Sequence, residues 1–416
     1  MTRRIIFHID VNSAYLSWEA VYRLQHGDSV DLRTIASVVG GDEASRHGIV
    51  LAKSIPAKEY NIQTGESLYA VRQRCPHLVV VPPRYDLYMQ CSSALIKILE
   101  EYSPKIQIFS IDECFLDFTN LETLWGDPVE AAYKIKERIY KELGFTINIG
   151  ISSNKLLAKI GGDLEKPDKV HTLFPEEIPE KMWPLPVSDL YMVGRATAPK
   201  LHQMGIYTIR DLAKTDPDLL KYKLKSFGQL IWNYANGIEN SPVFTGGHTN
   251  IKGIGNSTTI AFDVEDRKTA HMILLSLVET VSARLRHSKL CAQLVSVSIK
   301  TDEFFSYSHQ RKLFASIDCT MNIYKIACRL FDEMWKGQKI RHLGVRVSEL
   351  CGNDFIQLSL FDKNWENQKA LDKTLDDIRI KYGSQSIIRS CFLNSGLRPI
   401  AGGVMEEDYQ MMSSIL

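Results

Sequence analysis

The chain has 8 cysteines but no Cys-x-x-Cys pair and none beside paired histidines, so the sequence suggests neither a zinc site nor a disulfide framework. Scattered thiols of this kind suit a reducing compartment. No apolar run approaches membrane-spanning length, and the first residues read as a strand rather than a secretory leader. A cytoplasmic protein with no membrane partner is expected. An excess of one charge is lacking too: the formal net charge is +1, so bulk charge does not announce a nucleic-acid partner. What is present is globular composition, 44% hydrophobic and 24% charged over 416 residues, enough for two to four packed domains.

Against that background the acids stand out. Ile6-Phe7-His8-Ile9-Asp10-Val11-Asn12 is an apolar strand ending in a carboxylate, and Ser110-Ile111-Asp112-Glu113-Cys114-Phe115-Leu116-Asp117 sets two adjacent acids between two short strands. An unpaired buried charge is costly, so such acids need a cation. Mg2+ is a hard ion that takes oxygen ligands and leaves room for substrate phosphates. Asp10, Asp112 and Glu113 therefore read as a two-metal phosphoryl- or nucleotidyl-transfer site, and a salt-bridged structural acid cluster is the bland alternative. Asp117 reads as structural.

The organisation is α/β. Strands are expected at Arg4 to Asp10, Leu32 to Val39, Ile49 to Lys53, Lys105 to Ser110, Cys114 to Phe118 and Phe145 to Ile151. Helices are expected from Ser13 to Leu24, from Asp86 to Tyr102 (apolar at Tyr88, Cys91, Leu95, Ile98 and Leu99), and after residue 151. From Trp183 the pattern changes to short helices, with Val193-Gly194-Arg195-Ala196 and Ser226-Phe227-Gly228-Gln229 between them. Such turns are either phosphate-binding helix starts or ordinary glycine turns. A polar linker spans roughly Asn240 to Asn250.

Beyond it the order is β-α-β-β-α-β. With both helices on one face, Lys300, Lys312 and Arg346 fall on the open one. That face either tracks a phosphate backbone or is simply solvated. A further helix is expected from Gln368 to Tyr382, and Ser384 to Leu416 carries no recognisable chemistry.

Asp10-Val11-Asn12, Ser110-Ile111-Asp112-Glu113, Gly150-Ile151-Ser152-Ser153-Asn154-Lys155-Leu156-Leu157-Ala158-Lys159 and Glu165-Lys166-Pro167, in that order and spacing, resemble the Y-family translesion DNA polymerases. The resemblance runs from Arg4 to about Leu350. It implies a multi-domain right hand: a palm from residues 1–21 and 85–172, fingers from 22–84, and a helical thumb from 173–240. A linker at 241–250 and a split-βαβ little finger at 251–351 follow, and 352–416 would hold a clamp-binding peptide and tail. Asn12 and Lys58 place the chain nearer the polymerase V branch than the polymerase IV branch.

The resemblance also implies roles. Asp10, Asp112, Glu113 and the Val11 backbone would bind two Mg2+ ions; Tyr15 would be the steric gate against ribonucleotides, beside the small Ala14. Lys58 and Lys166 would meet the triphosphate, with Lys53 nearby compensating for Ile55, and Ser110 would neighbour the primer terminus. Gly194 and Arg195 would meet DNA through a helix-hairpin-helix in which Met192 replaces a glycine; Lys300, Lys312 and Arg346 would meet it on the open sheet. Gln357-Leu358-Ser359-Leu360-Phe361 resembles the peptide that docks on the bacterial sliding clamp, with Gln357, Leu358, Leu360 and Phe361 as anchors. Primer-template DNA, dNTPs, the clamp and accessory mutasome subunits are the implied partners, on the nucleoid when engaged. Error-prone translesion synthesis without proofreading is the implied activity. A non-catalytic DNA-binding subunit and a two-metal nuclease are the alternatives.

Overall fold

A computed structural model describes residues 3–44, 46–244, 251–353, 365–397 and 399. These fall into two compact units, one drawn from residues up to 244 apart from the 42–48 loop, the other mainly from residue 251 onward.

The first unit is organised by a five-stranded sheet. Strand β1 (Ile6–Val11) leads to helix α1 (Ala14–Gln25). The chain then forms a small three-stranded sheet from β2 (Ser37–Gly40), β3 (Val50–Lys53) and β4 (Val79–Val81), with α2 (Ile55–Glu59) and α3 (Leu68–Arg74) inserted. It returns through α4 (Tyr85–Glu100), β5 (Ile106–Ile108), β6 (Glu113–Asp117), α5 (Glu122–Trp125), α6 (Pro128–Leu143), β7 (Ile147–Ser152), α7 (Lys155–Asp163) and β8 (Val170–Thr172). The large sheet runs β5-β6-β1-β7-β8, with β1 central and antiparallel to both neighbours.

Alternation along β1 separates two environments. Phe7, Ile9 and Val11 enter an apolar core with Leu16, Trp18, Leu95, Leu116 and Ile149. His8 and Asp10 share the opposite face with Glu113, Phe115, Asn148 and Gly150, their partners across the sheet. Helix α7 covers this second face at close range. A Cβ at Gly150 would lie 1.9 Å from the Ala158 carbonyl oxygen, so only glycine lets the helix approach. That approach brings Lys159 to the acids.

Short helices follow: α8 (Ala198–His202), α9 (Ile209–Lys214), α10 (Pro217–Leu224) and α11 (Ser226–Ala235). Gly228 lies within α11 rather than in a turn between helices. A Cβ there would sit 2.3 Å from the Leu220 carbonyl, so this glycine serves helix packing.

The second unit has the expected order: β9 (Gly253–Val264), α12 (Arg267–His287), β10 (Leu290–Thr301), β11 (Ser306–Ile317), α13 (Thr320–Met334) and β12 (Ile340–Gly352). Its antiparallel sheet runs β11-β10-β12-β9, and Val295, Val297, Ile299, Leu343, Val345 and Val347 pack beneath α12 and α13. A last helix, α14 (Trp365–Tyr382), docks through charge. Arg286 forks onto Asp376 at 2.6 and 2.9 Å, Asp372 caps the Thr320 amide at 2.8 Å, and buried Glu279 takes Arg379 at 2.6 Å and also Arg389. The 384–397 stretch, in which the sequence showed no chemistry, thus supplies Arg389 to a buried ion-pair cluster.

Two further elements differ from what the sequence suggested. The strand expected from Leu32 shrinks to Ser37–Gly40, because Asp31 binds Arg33 and receives the Thr34 amide and hydroxyl in a turn. Helix α6 has no counterpart among the expected elements, although Asp127 caps it at 2.9 Å, Pro128 opens it and Gly144 closes it.

Candidate active site

The three acids converge by strand pairing. Asp10 stands opposite Glu113 in the β1–β6 register, and the Val11 amide donates to the Asp112 carbonyl at 3.0 Å. Ser110, expected near a primer end, donates its hydroxyl to Asp112 at 2.6 Å and so orients that carboxylate.

Each acid has its own partner. Lys166 reaches Asp10 at 2.5 Å and Asp163 at 2.8 Å. Glu113 takes Lys159 and also the His8 Nε2–H at 3.0 Å. Burial opposes the charge on Glu113, yet the His8 hydrogen bond and the Lys159 ammonium prevail and hold its pKa down at about 2. Burial wins at Asp112, which is held above the usual carboxylate range despite Ser110. Asp10 and Lys166 shift the same way. Burial raises Asp10 despite Lys166, whereas Lys166, also opposed by burial, is raised because the Asp10 and Asp163 carboxylates stabilise its ammonium.

The donor chemistry suits a hard divalent cation: three carboxylates, Asp10 buried and Asp112 and Glu113 half-buried, carried by β1, by β6 and by the turn that precedes β6. They do not form a closed cage. Among the described residues no three His, Cys, Asp or Glu side chains are gathered closely enough to hold an ion, and the lysines occupy the acids instead.

Around this centre Asn12 is a brace. Its amide donates to Asn148 at 2.9 Å and its carbonyl accepts from the Asp168 amide at 2.9 Å, fixing the segment that carries Lys166. Tyr15 sits in the first turn of α1, its ring stacked on Tyr88 at 4.6 Å and flanked by Trp18 and Tyr85. Lys58, on Ser54-capped α2, is exposed. Lys53 donates to the Ile62 carbonyl at 2.5 Å and to Gln63 at 3.1 Å, so in this structure it braces its own loop.

The other anticipated contacts lie elsewhere. Gly194 and Arg195 are exposed where α8 begins, and the Gly194 carbonyl accepts from Thr197 and Ala198. A Cβ on Gly194 would meet nothing, so the fold itself does not require glycine there. Met192 adopts a left-handed backbone, with φ 75°, a conformation that suits glycine. Lys300, Lys312 and Arg346 share the open face of the second unit, as their pairing with His342, Leu294 and Ser296 requires. Lys312 also pairs with Glu349 at 2.7 Å. The peptide containing Gln357, Leu358, Leu360 and Phe361 lies outside the described residues.

Two partners of the acids had no role in the sequence reading, His8 and Lys159. The signal was present: His8 is two residues before Asp10 on the same strand face, and Lys159 is one helical turn after Lys155. Their target, Glu113, is distant in sequence from both.

The comparisons agree with this layout. Residues 9–163 match the impB/mucB/samB family, 175–206 the IMS family HHH motif, and 251–360 the impB/mucB/samB family C-terminal domain. A DNA polymerase IV of Clostridium acetobutylicum is 49% identical over 391 residues, covering 94% of this chain and 98% of the relative. A DNA polymerase IV of Acetivibrio thermocellus is 37% identical over 396 residues, covering 94% and 98%. Among solved structures, a Y-family DNA polymerase chimera, Dbh-Dpo4(243-245)-Dbh, superposes with a TM-score of 0.72 at 22% identity, covering 84% of this chain and all of that one. The leaning toward polymerase V drawn from Asn12 and Lys58 is not supported, since these relatives carry the polymerase IV name.

Proposed function

The chain belongs to the impB/mucB/samB family of Y-family DNA polymerases and is a DNA-directed DNA polymerase, and we propose that it copies damaged templates by two-metal nucleotidyl transfer, without proofreading. The observation that carries this reading is the meeting of Asp10, Asp112 and Glu113 at the ends of two paired strands, with a lysine on each flank.

Asp10, Asp112, Glu113 and the Val11 carbonyl would hold two Mg2+ ions. When bound, such ions supply Lewis-acid activation of the primer 3′-hydroxyl and neutralise the triphosphate and departing pyrophosphate. The remaining work belongs to side chains. Lys166 binds and orients the triphosphate of the dNTP, and exposed Lys58 adds charge from the fingers. Lys159 holds Glu113 ionised. The Tyr15 ring, backed by Tyr88, leaves no room for a ribose 2′-hydroxyl.

Primer-template DNA is held by phosphate contacts at Gly194 and Arg195 in the thumb and at Lys300, Lys312 and Arg346 in the little finger. The bare surface at Gly194 suits a phosphate approaching backbone N–H groups. The proposal extends to a sliding clamp met by Gln357, Leu358, Leu360 and Phe361, to accessory subunits, and to action in the cytoplasm on the nucleoid. Among the described residues no helix is long and apolar enough to cross a membrane.

Primer extension with Mg2+ and single dNTPs, on intact and abasic templates, tests the reading. Extension past the abasic site is the expected result. Extension that halts at the abasic site, with intact DNA copied normally, would remove the translesion role.

A further inference from the structure

The β10–β11 hairpin closes in a three-residue loop, Asp302-Glu303-Phe304. The Thr301 amide donates to the Phe305 carbonyl at 2.9 Å, the Phe304 amide to the Thr301 carbonyl at 3.0 Å, and the Phe305 amide to the Thr301 hydroxyl at 3.2 Å. In loops of this length the third residue adopts the left-handed conformation, and glycine is the residue at ease there. This chain places Phe304 at that position, with φ 69°.

The choice is unfavourable twice over. Left-handed backbone crowds a Cβ against the following carbonyl oxygen, a strain that glycine escapes. The ring also remains 61% exposed, next to Phe305 at 67%, so its burial offsets little of that. A strained residue that packs no core points to a role outside the fold.

The ring's surroundings say what it meets. Lys300, at the end of the open sheet face, lies 4.9 Å from the Phe304 ring centroid, and the Arg341 guanidinium lies 5.0 Å from it. Arg341 is the residue skipped by the strand register between Ile340 and His342. Of the hairpin's two acids, Asp302 turns its carboxylate back onto the Glu303 amide at 3.1 Å and Glu303 is exposed to solvent; Lys339 is engaged by Glu265 at 2.7 Å. A solvent-exposed aromatic ring with two cations against it, at the end of the mildly basic open face, resembles the stacking platforms that hold unpaired bases.

We propose that Phe304, with Lys300 and Arg341, stacks an unpaired nucleotide of single-stranded DNA flanking the duplex held by the open sheet. This rests on the little-finger sheet being a DNA-tracking surface. The cations meet the phosphates on either side of the stacked base, and the ring accepts any base, so the grip is independent of sequence.

The test is binding of the full chain to a blunt duplex and to the same duplex with a single-stranded template overhang, for wild type and Phe304→Gly. Glycine suits the backbone, so the variant should melt no lower than wild type. Expected is about a tenfold loss of affinity for the overhang DNA, with blunt-duplex binding unchanged. In a Phe304→Trp variant, the fluorescence of the introduced indole should be quenched by overhang DNA and not by blunt duplex. If Phe304→Gly binds both DNAs as wild type does, or the introduced indole does not respond to the overhang, stacking is overturned. Wild type that binds no duplex would instead overturn the underlying DNA-tracking reading. Affinity lost equally for both DNAs would make Phe304 a general duplex contact and also overturn the proposal.

Discussion

The two large sheets of this protein place their polar residues under opposite conditions. In the five-stranded sheet, Asp10, His8, Glu113 and Asn148 lie on a face covered by α7, and the two acids are answered by Lys166, Lys159 and the His8 ring. In the four-stranded sheet, helices cover one face only, and the other is built of Ser296, Ser298, Ser308, Gly255, Ser257 and Gly344 around Lys300 and Arg346. Gly253 and Gly255 leave room for the Arg346 side chain to lie across β9, since a Cβ at Gly253 would come within 2.9 Å of its Nε. The covered face fixes charges in place, which chemistry requires. The open face presents a smooth, mildly cationic surface, which suits a repeating phosphate backbone.

Substitutions should separate the two. Asp10→Asn keeps the shape of the covered face but leaves Lys166 with only Asp163; extension rates should fall by about a thousandfold or more while DNA affinity stays within a few-fold of wild type. Comparable activity in that variant would place the chemistry elsewhere. Glu279→Gln, on the helix side of the four-stranded sheet, strands two arginines. It should destabilise the second unit by about 3 kcal/mol, read as a lower denaturant midpoint, without altering the catalytic rate per folded molecule. Tyr15→Ala should raise ribonucleotide incorporation at least about tenfold, measured as the ratio of efficiencies for matched rNTP and dNTP. The smallest effect belongs to the open face: Arg346→Ala should weaken duplex binding modestly and flatten the slope of log affinity against log salt by about one. A change in rate at saturating DNA would contradict a purely tracking role for that surface.

The same contrast governs what could be read from the sequence. Acids at strand ends and the β-α-β-β-α-β order were legible, because burial writes periodicity into Val295, Val297 and Ile299 and leaves Asp10 conspicuous at the end of an apolar run. The face assignment of Lys300, Lys312 and Arg346 follows from the same alternation. What was not legible is who answers whom. Lys166 and Asp10 are far apart in sequence and meet because α7 packs closely over Gly150 and Asn12 accepts the Asp168 amide just beyond Lys166. Lys53, expected to compensate for Ile55 near the triphosphate, donates to the Ile62 carbonyl, a partner the sequence did not signal. The Phe304 loop shows the reverse: its strain is invisible until the backbone conformation is known.

The most direct test of a catalytic centre at Asp10, Asp112 and Glu113 is primer extension with Mg2+ by wild type and Asp112→Ala, beside DNA binding of both. Template-dependent extension by wild type, lost in Asp112→Ala with DNA affinity retained, is the predicted result. Equal extension by the two proteins would contradict it.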